Sequence, residues 1–287
     1  DLHLLDNISF KGNLSGDKNN LTVKDLSFNF ADKLKGKTSV VVKDFAKPSY
    51  SGSLDLEKFN LNQLLDSLNI AVAARKNKPL LNNFAISSNG FSGDMQNISL
   101  KGLQVSAGDS LKASFGALKV QNFSNPSVSG DVSLPTFNLN QTLDGLGIAV
   151  AERKNKSLLN SFAFSGGFNA TPTAANLSNV KISAGGLVNA TLGKLAVQDF
   201  ANPKVAGDIN LPTFSLNNVM RQLGMTPPAL SNPKLLDTFA LNSGFVASKN
   251  SLNLTGMHFK LAKSNISGNL NLSSFAPVVF SENLTID

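Results

Sequence analysis

Apolar and polar residues alternate along short runs through most of the chain. Ile98, Leu100, Leu103 and Val105 make one run, and Leu177, Val180, Ile182 and Ala184 make another. A period of two predicts strands with one face kept from water. The run that follows each of these carries a break. Ala113 and Phe115 keep one phase, then Leu118 and Val120 keep the other, with Gly116 between them. Ala190 and Leu192, then Leu195 and Val197, flank Gly193 in the same way, and Ile266, then Leu270 and Leu272, flank Gly268. A phase slip at a glycine predicts a β-bulge, which bends a strand and tightens its twist. Bulges at matching places predict a sheet that curves.

The breaks recur because the chain repeats. Phe45-Ala46-Lys47-Pro48, Phe123-Ser124-Asn125-Pro126 and Phe200-Ala201-Asn202-Pro203 lie 78 and 77 residues apart, and Phe275-Ala276-Pro277 is a shortened echo. Leu4-Leu5-Asp6, Leu80-Leu81-Asn82, Leu158-Leu159-Asn160 and Leu235-Leu236-Asp237 open the units. The boundaries are therefore 1–79, 80–157, 158–234 and a partial unit, 235–287, which stops halfway. Stacked repeats share one continuous core, so the four form one repeat domain.

Proline cannot donate into a ladder, so Phe-x-x-Pro reads as a turn. A fourth strand follows, Gly130 to Pro135 and Gly207 to Pro212, and runs into a short helix. Asn60 and Asn138 stand as N-caps, with Gln63 and Gln141 at the capping-box spacing. Leu61, Leu64, Leu65 and Leu68 fall on one helical face, as do Leu139, Leu143 and Leu146. Gly147 and Gly224 end the helices as C-terminal glycines do. The expected fold is mainly β: an elongated, bent antiparallel sheet shaped like a trough, from tandem units of about four strands and one short helix.

Composition narrows the classes. Hydrophobic residues at 41% with charged residues at only 16% exclude disorder. The 20 Phe stand beside one Tyr, Tyr50, and no Trp, which argues against the aromatic girdles of an outer-membrane barrel. No cysteine is present, so disulfides and thiolate metal sites are excluded. The excess charge of +7 tolerates an anionic partner without demanding one. The first residue is Asp1 and no apolar stretch is long enough to span a bilayer. The chain therefore reads as a piece of a longer protein, with any export signal or anchor outside it.

The segment from Phe45 through Gly52, Leu54, Leu56, Phe59 and Leu61 to Leu64 and Leu65, repeated at Gly130 to Leu146 and Gly207 to Leu223, resembles the repeating unit of AsmA-like proteins. That family, part of the AsmA/TamB superfamily, follows Phe-x-x-Pro with a Gly-x-Leu-x-Leu strand and a Leu-x-Leu-x-x-Leu helix start. The resemblance covers essentially the whole chain. It implies a Gram-negative envelope protein, periplasmic and tethered to the inner membrane. It also implies an apolar trough like that of bridge-like lipid-transfer proteins, carrying phospholipid between the membranes. Asn60, Asn62, Asn138 and Asn140 stand where the family often has Asp, a change expected to alter surface charge only.

The candidate lining of such a groove is Phe84, Ile86, Ile98, Leu100, Phe115, Leu118, Val120, Val132, Leu134, Phe162, Phe164, Ile182, Leu192, Leu195, Val197, Ile209 and Leu211. Alternation fits an open trough and a closed core between two sheets equally. The resemblance favours the trough, with phospholipid or another acyl-chain lipid as the partner. The alternative is a structural or adhesive rod with a sealed core. Arg75, Lys76, Lys78, Arg153, Lys154 and Lys156 are either a solvated loop between units or contacts for anionic headgroups. The third unit has Ser231-Asn232-Pro233-Lys234 there.

No arrangement for catalysis, cofactor or metal emerges. His3 and His258 are isolated and read as structural or surface residues. Asp44 and Asp199 sit at equivalent turns, where capping explains them. No phosphate loop or nucleophile elbow is present, and the aromatics fall in the alternation rather than on a stacking platform for nucleic acid.

Overall fold

A computed structural model describes residues 7–69, 79–148, 157–275 and 277–287. The chain is mainly β, and its sixteen strands run in chain order in one antiparallel sheet that does not close. It divides into two compact units, Asp1–Val150 and Ala151–Asp287. In the first, β1 (Ile8–Gly16), β2 (Asn20–Phe30), β3 (Leu34–Lys43) and β4 (Ser49–Leu56) lead into helix α1 (Leu61–Ser67). There follow β5 (Phe84–Gly93), β6 (Asn97–Ala107), β7 (Leu111–Gln121), β8 (Ser127–Phe137) and α2 (Leu139–Gly145). In the second, β9 (Phe162–Ala170), β10 (Ala174–Ala184), β11 (Val188–Gln198) and β12 (Lys204–Phe214) precede α3 (Leu216–Gln222). The strands β13 (Phe239–Ala247), β14 (Leu252–Leu261), β15 (Ser264–Phe275) and β16 (Val278–Ile286) complete it.

Four strands per repeat is the arrangement the sequence predicts. Residues 235–287, expected to hold half a unit, contain four strands, β13 to β16. In each of the first three repeats the four strands precede the short helix.

The bulges fall partly where predicted. Register slips between Phe115 and Leu118 on β7, and between Thr191 and Leu195 on β11, bracket Gly116 and Gly193. The prediction at Gly268 is corrected. Its strand keeps register with β16 from Ile266 to Leu272, and the extra residue lies on β14, between Leu254 and Met257. There Gly256 is left-handed, at φ +56. It belongs to a series spaced 77 residues apart, Asp25, Gly102, Asn179 and Gly256, all with φ between +50 and +57. Asp, Asn and Gly are the types that tolerate this conformation, the first two through local side-chain hydrogen bonds. The residues just after three of them, Leu103, Val180 and Met257, are buried.

A second buried region lies along the rim that carries the helices. The last three Leu-Leu starts form short 3-10 turns, Pro79–Asn82, Ser157–Asn160 and Pro233–Asp237, while Leu4-Leu5-Asp6 lies outside the described residues. Leu80 is buried there, its side chain close over Gly108 and Gly145. In the second unit Leu158 packs with Ala184 and Val219, and Phe162, Phe214 and Leu223 lean on that cluster. Asn60 and Asn138 cap their helices as expected, accepting from the Gln63 and Gln141 amides at 3.0 Å. Gly147 and Gly224 are left-handed at the C-termini.

The asparagine reading needs a correction. Asn140 and Asn217 are buried, and the Asn62 side-chain amide donates to Asn82 at 3.0 Å. Asn217 donates likewise to the Pro233 carbonyl at 2.8 Å and the Asp237 carboxylate at 2.9 Å. In α1 and α3 these amides tie the helix to the 3-10 turn that follows it. A carboxylate has no proton to give in such bonds, so these positions do more than set surface charge.

Candidate functional site: the apolar face of the sheet

Directly opposed residues of an antiparallel pair project to the same face, so the registers can be followed strand by strand. In the first unit one row runs Leu14, Val23, Val40, Gly52, Phe91, Leu100, Leu118, Gly130. The matching row of the second unit runs Phe168, Leu177, Leu195, Gly207, Phe245, Leu254, Leu270, Glu282. Three large residues and a glycine repeat across the strands until Glu282 takes the last glycine's place. The opposite face is polar: Lys11, Ser27, Lys37, Asp55, Ser87, Gln104, Ser114 and Ser133 form its row across β1 to β8.

The structure brings the nominated lining residues onto the apolar face of each unit. In the first, Phe84, Ile86, Ile98, Leu100, Phe115, Leu118, Val120, Val132 and Leu134 share it. In the second, Phe162, Phe164, Ile182, Leu192, Leu195, Val197, Ile209 and Leu211 do. Every one of them is half-buried, neither sealed nor fully exposed. The fully buried positions are instead the row beside the bulges and the helix-lined rim.

The sequence reading passed over several residues that shape this face. The left-handed residues Gly102 and Asn179 had a signal, because Leu100 to Leu103 and Leu177 to Val180 each break phase. Ser88 and Ser243 sit buried in otherwise apolar rows, and their hydroxyls donate to bulge carbonyls, Gly90 at 3.0 Å and Gly244 at 2.7 Å. Gly52 is required by close approach: a Cβ there would stand 2.7 Å from the Phe91 ring and against the Ser39 carbonyl oxygen. Its place in the Gly-x-Leu-x-Leu pattern was visible, but its partner across the sheet was not.

At the rim opposite the helices, the Phe-x-x-Pro turns hold Phe45, Phe123 and Phe200 about half exposed, as is Phe275 at the end of β15. Asp44 and Asp199 do the capping expected of them. Each is left-handed, and their carboxylates accept from the amides of Ala46 and Ala201 at 3.1 Å. Asp17 and Asp94 cap neighbouring turns. The Asn19 and Gln96 amides respectively, aided by the side chains of Asn20 and Asn97, hold their carboxyls below the ordinary value of 3.8.

The polar face carries shallow clefts. One of about 630 Å³ in the first unit is lined by Asp25, Lys37, Ser39, Ser53, Asp55 and Ser87, among others. Its hydroxyls serve the backbone: Thr38 donates to the Ser53 carbonyl at 2.7 Å, and Ser39 accepts from the Asp25 amide at 3.1 Å. His258 is exposed in a polar row between Asn242 and Ser267. Arg75, Lys76, Lys78, Arg153, Lys154, Lys156 and His3 lie outside the described residues. Among the described residues no group of three or more His, Cys, Asp or Glu converges as metal ligands, and no helix is long and apolar enough to cross a membrane. Comparison with family models, curated proteins and solved structures gives no match to this chain.

Proposed function

We propose that the apolar face binds and conducts acyl-chain lipid, phospholipid in the first place, as a periplasmic segment between the inner and outer membranes. The observation that carries this reading is the half-buried state of a whole apolar face on a sheet that does not close. Sheltering a 16-carbon chain is worth about 12 kcal/mol at about 0.8 kcal/mol per methylene. That asks for a long apolar surface rather than a pocket with one polar anchor. Eight strands at about 4.8 Å per step give each unit rows roughly 34 Å long. A single leaflet's acyl chains span about half of a roughly 30 Å hydrocarbon core, so one unit is long enough for them. Repetition lengthens such a surface without new chemistry, and the role asks for no catalytic residue. The resemblance to AsmA-like repeats points to the same role and supplies the compartment.

The test is direct. Purified from bacterial cells without detergent and extracted with organic solvent, the chain should yield phospholipid at stoichiometric levels by mass spectrometry. A Phe115→Glu/Val132→Glu variant with unchanged circular dichroism should yield none. A folded parent chain that is free of lipid, and that takes up none from vesicles, would contradict the proposal and favour the sealed structural rod.

A further inference from the structure

We propose that the polar face carries saccharide-binding clefts, at the same place in both units, suited to a polysaccharide that bears carboxylates. The inference does not rest on the lipid reading, because these side chains project from the other face. In the first unit the polar row crosses the cleft of about 630 Å³ with Ser27 on β2, Lys37 on β3, Asp55 on β4 and Ser87 on β5. In the second, a cleft of about 300 Å³ holds Lys181 on β10, Thr191 on β11, Asn210 on β12 and Asn242 on β13. These are the counterparts of the first four, strand by strand. Lys181 pairs with Thr191 as Ser27 pairs with Lys37, and Asn210 pairs with Asn242 as Asp55 pairs with Ser87.

The residues change between the two clefts and the chemistry is kept. Each row offers one lysine, with hydroxyl, amide or carboxylate groups beside it. Lys37 and Lys181 are exposed, and neither makes an ion pair among the described residues, although Lys37 lies directly opposite Asp55. The hydroxyls of Thr38 and Ser39 are engaged with the backbone, while those of Ser27, Ser53 and Ser87 line the first cleft without a partner among the described residues. A sugar ring presents the complement: hydroxyls that donate to Asp55 or Asn210 and accept from serine or amide, and on a uronic acid a carboxylate for the lysine. Five further exposed lysines, Lys24, Lys43, Lys101, Lys112 and Lys119, share the polar face of the first unit with Asp25, Asp55 and Asp131. That excess attracts a polyanion. Neither row holds an aromatic ring, so a nucleic acid would find no stacking platform. A layer of lipid headgroups would meet the lysine tips and leave the cleft floors unused. A site that recurs along a repeating chain suits a ligand that repeats as well.

Isothermal titration calorimetry of the full chain with oligogalacturonate, at physiological ionic strength, tests this. The parent should bind it, and should bind the same oligomer roughly tenfold more weakly after its carboxyls are reduced to alcohols. Lys37→Gln with Lys181→Gln should weaken oligogalacturonate about tenfold by removing a charged hydrogen bond from each cleft. Lys101→Gln with Lys119→Gln removes the same charge from the polar face outside the clefts, and should cost no more than about twofold. Both variants should keep the parent's circular dichroism and its lipid content, so a failure here is separable from a failure of the lipid reading. The proposal is overturned if the parent gives no binding heat, or if the two double variants lose affinity equally. It is overturned as well if vesicles of anionic phospholipid or single-stranded DNA bind the parent as tightly and lose as much in the Lys37→Gln/Lys181→Gln variant.

Discussion

The helix-lined rim and the strand face beside it are built from the same leucines and phenylalanines and end in different states. At the rim, Leu80 and Leu158 retain 6% and 5% of their exposure. Each is enclosed by a short helix, a 3-10 turn and the backbone at a left-handed glycine. On the face, Leu100, Leu118 and Phe115 stay half-buried. The difference lies in what each repeat supplies to cover them. One seven-residue helix in each of the first three repeats seals one end of the strands, and the rest of the face stays half-buried. On the proposed reading, stability and lipid binding are thereby separated within each of these repeats.

The largest effect expected from this contrast is on stability. Leu158→Ala removes a side chain from the sealed cluster and should cost about 3 kcal/mol. Leu118→Ala on the half-buried face should cost about 1 kcal/mol in the lipid-free protein. Urea denaturation of the two variants measures the gap, and equal losses would mean the face is as closed as the rim.

A smaller effect belongs to the bulges. Asn179 holds φ +50, so Asn179→Ala should cost about 1–2 kcal/mol, whereas Asn179→Gly should be nearly neutral. Because the bulge sets Leu177 and Val180 on one face, the alanine variant should also lose lipid, as read by mass spectrometry of solvent extracts.

The smallest effect is at the turns opposite the helices. The amides of Gln96 and Asn97 hold the Asp94 carboxyl below its unfolded value. A depressed folded value means that the contribution is complete above the unfolded value and is lost as pH falls through the folded one. Stability should therefore drop on acidification below about pH 4, and Asp94→Asn should flatten part of that slope in urea midpoints taken at successive pH values.

Much of the fold was legible because each repeat states its pattern again. The strands, helix caps and turn aspartates follow from local rules, and the equivalent positions in other copies check them. The bulge near Gly268 was misplaced for a physical reason. A phase slip read along one strand does not say which of two paired strands holds the extra residue, and here Gly256 on the neighbour carries it. The structural role of these asparagines was missed because Asn62, Asn140 and Asn217 look like ordinary helix-start polar residues. The partners of Asn62 and Asn217 lie in the 3-10 turn further along the chain. The apolar face itself was legible as a set of residues. Its half-buried state was not, because alternation records only that one side avoids water and is silent on what covers it.

The central claim is that lipid lies on the apolar face and not on the polar one. The absence of native cysteine makes site-specific labelling simple. Leu100→Cys on the apolar face and Lys119→Cys on the polar face would each carry a benzophenone probe and be irradiated with phospholipid vesicles. The account predicts lipid adducts at position 100 and not at 119, read by intact-protein mass spectrometry. Equal labelling at both positions, or none at 100 in a folded protein, would contradict it.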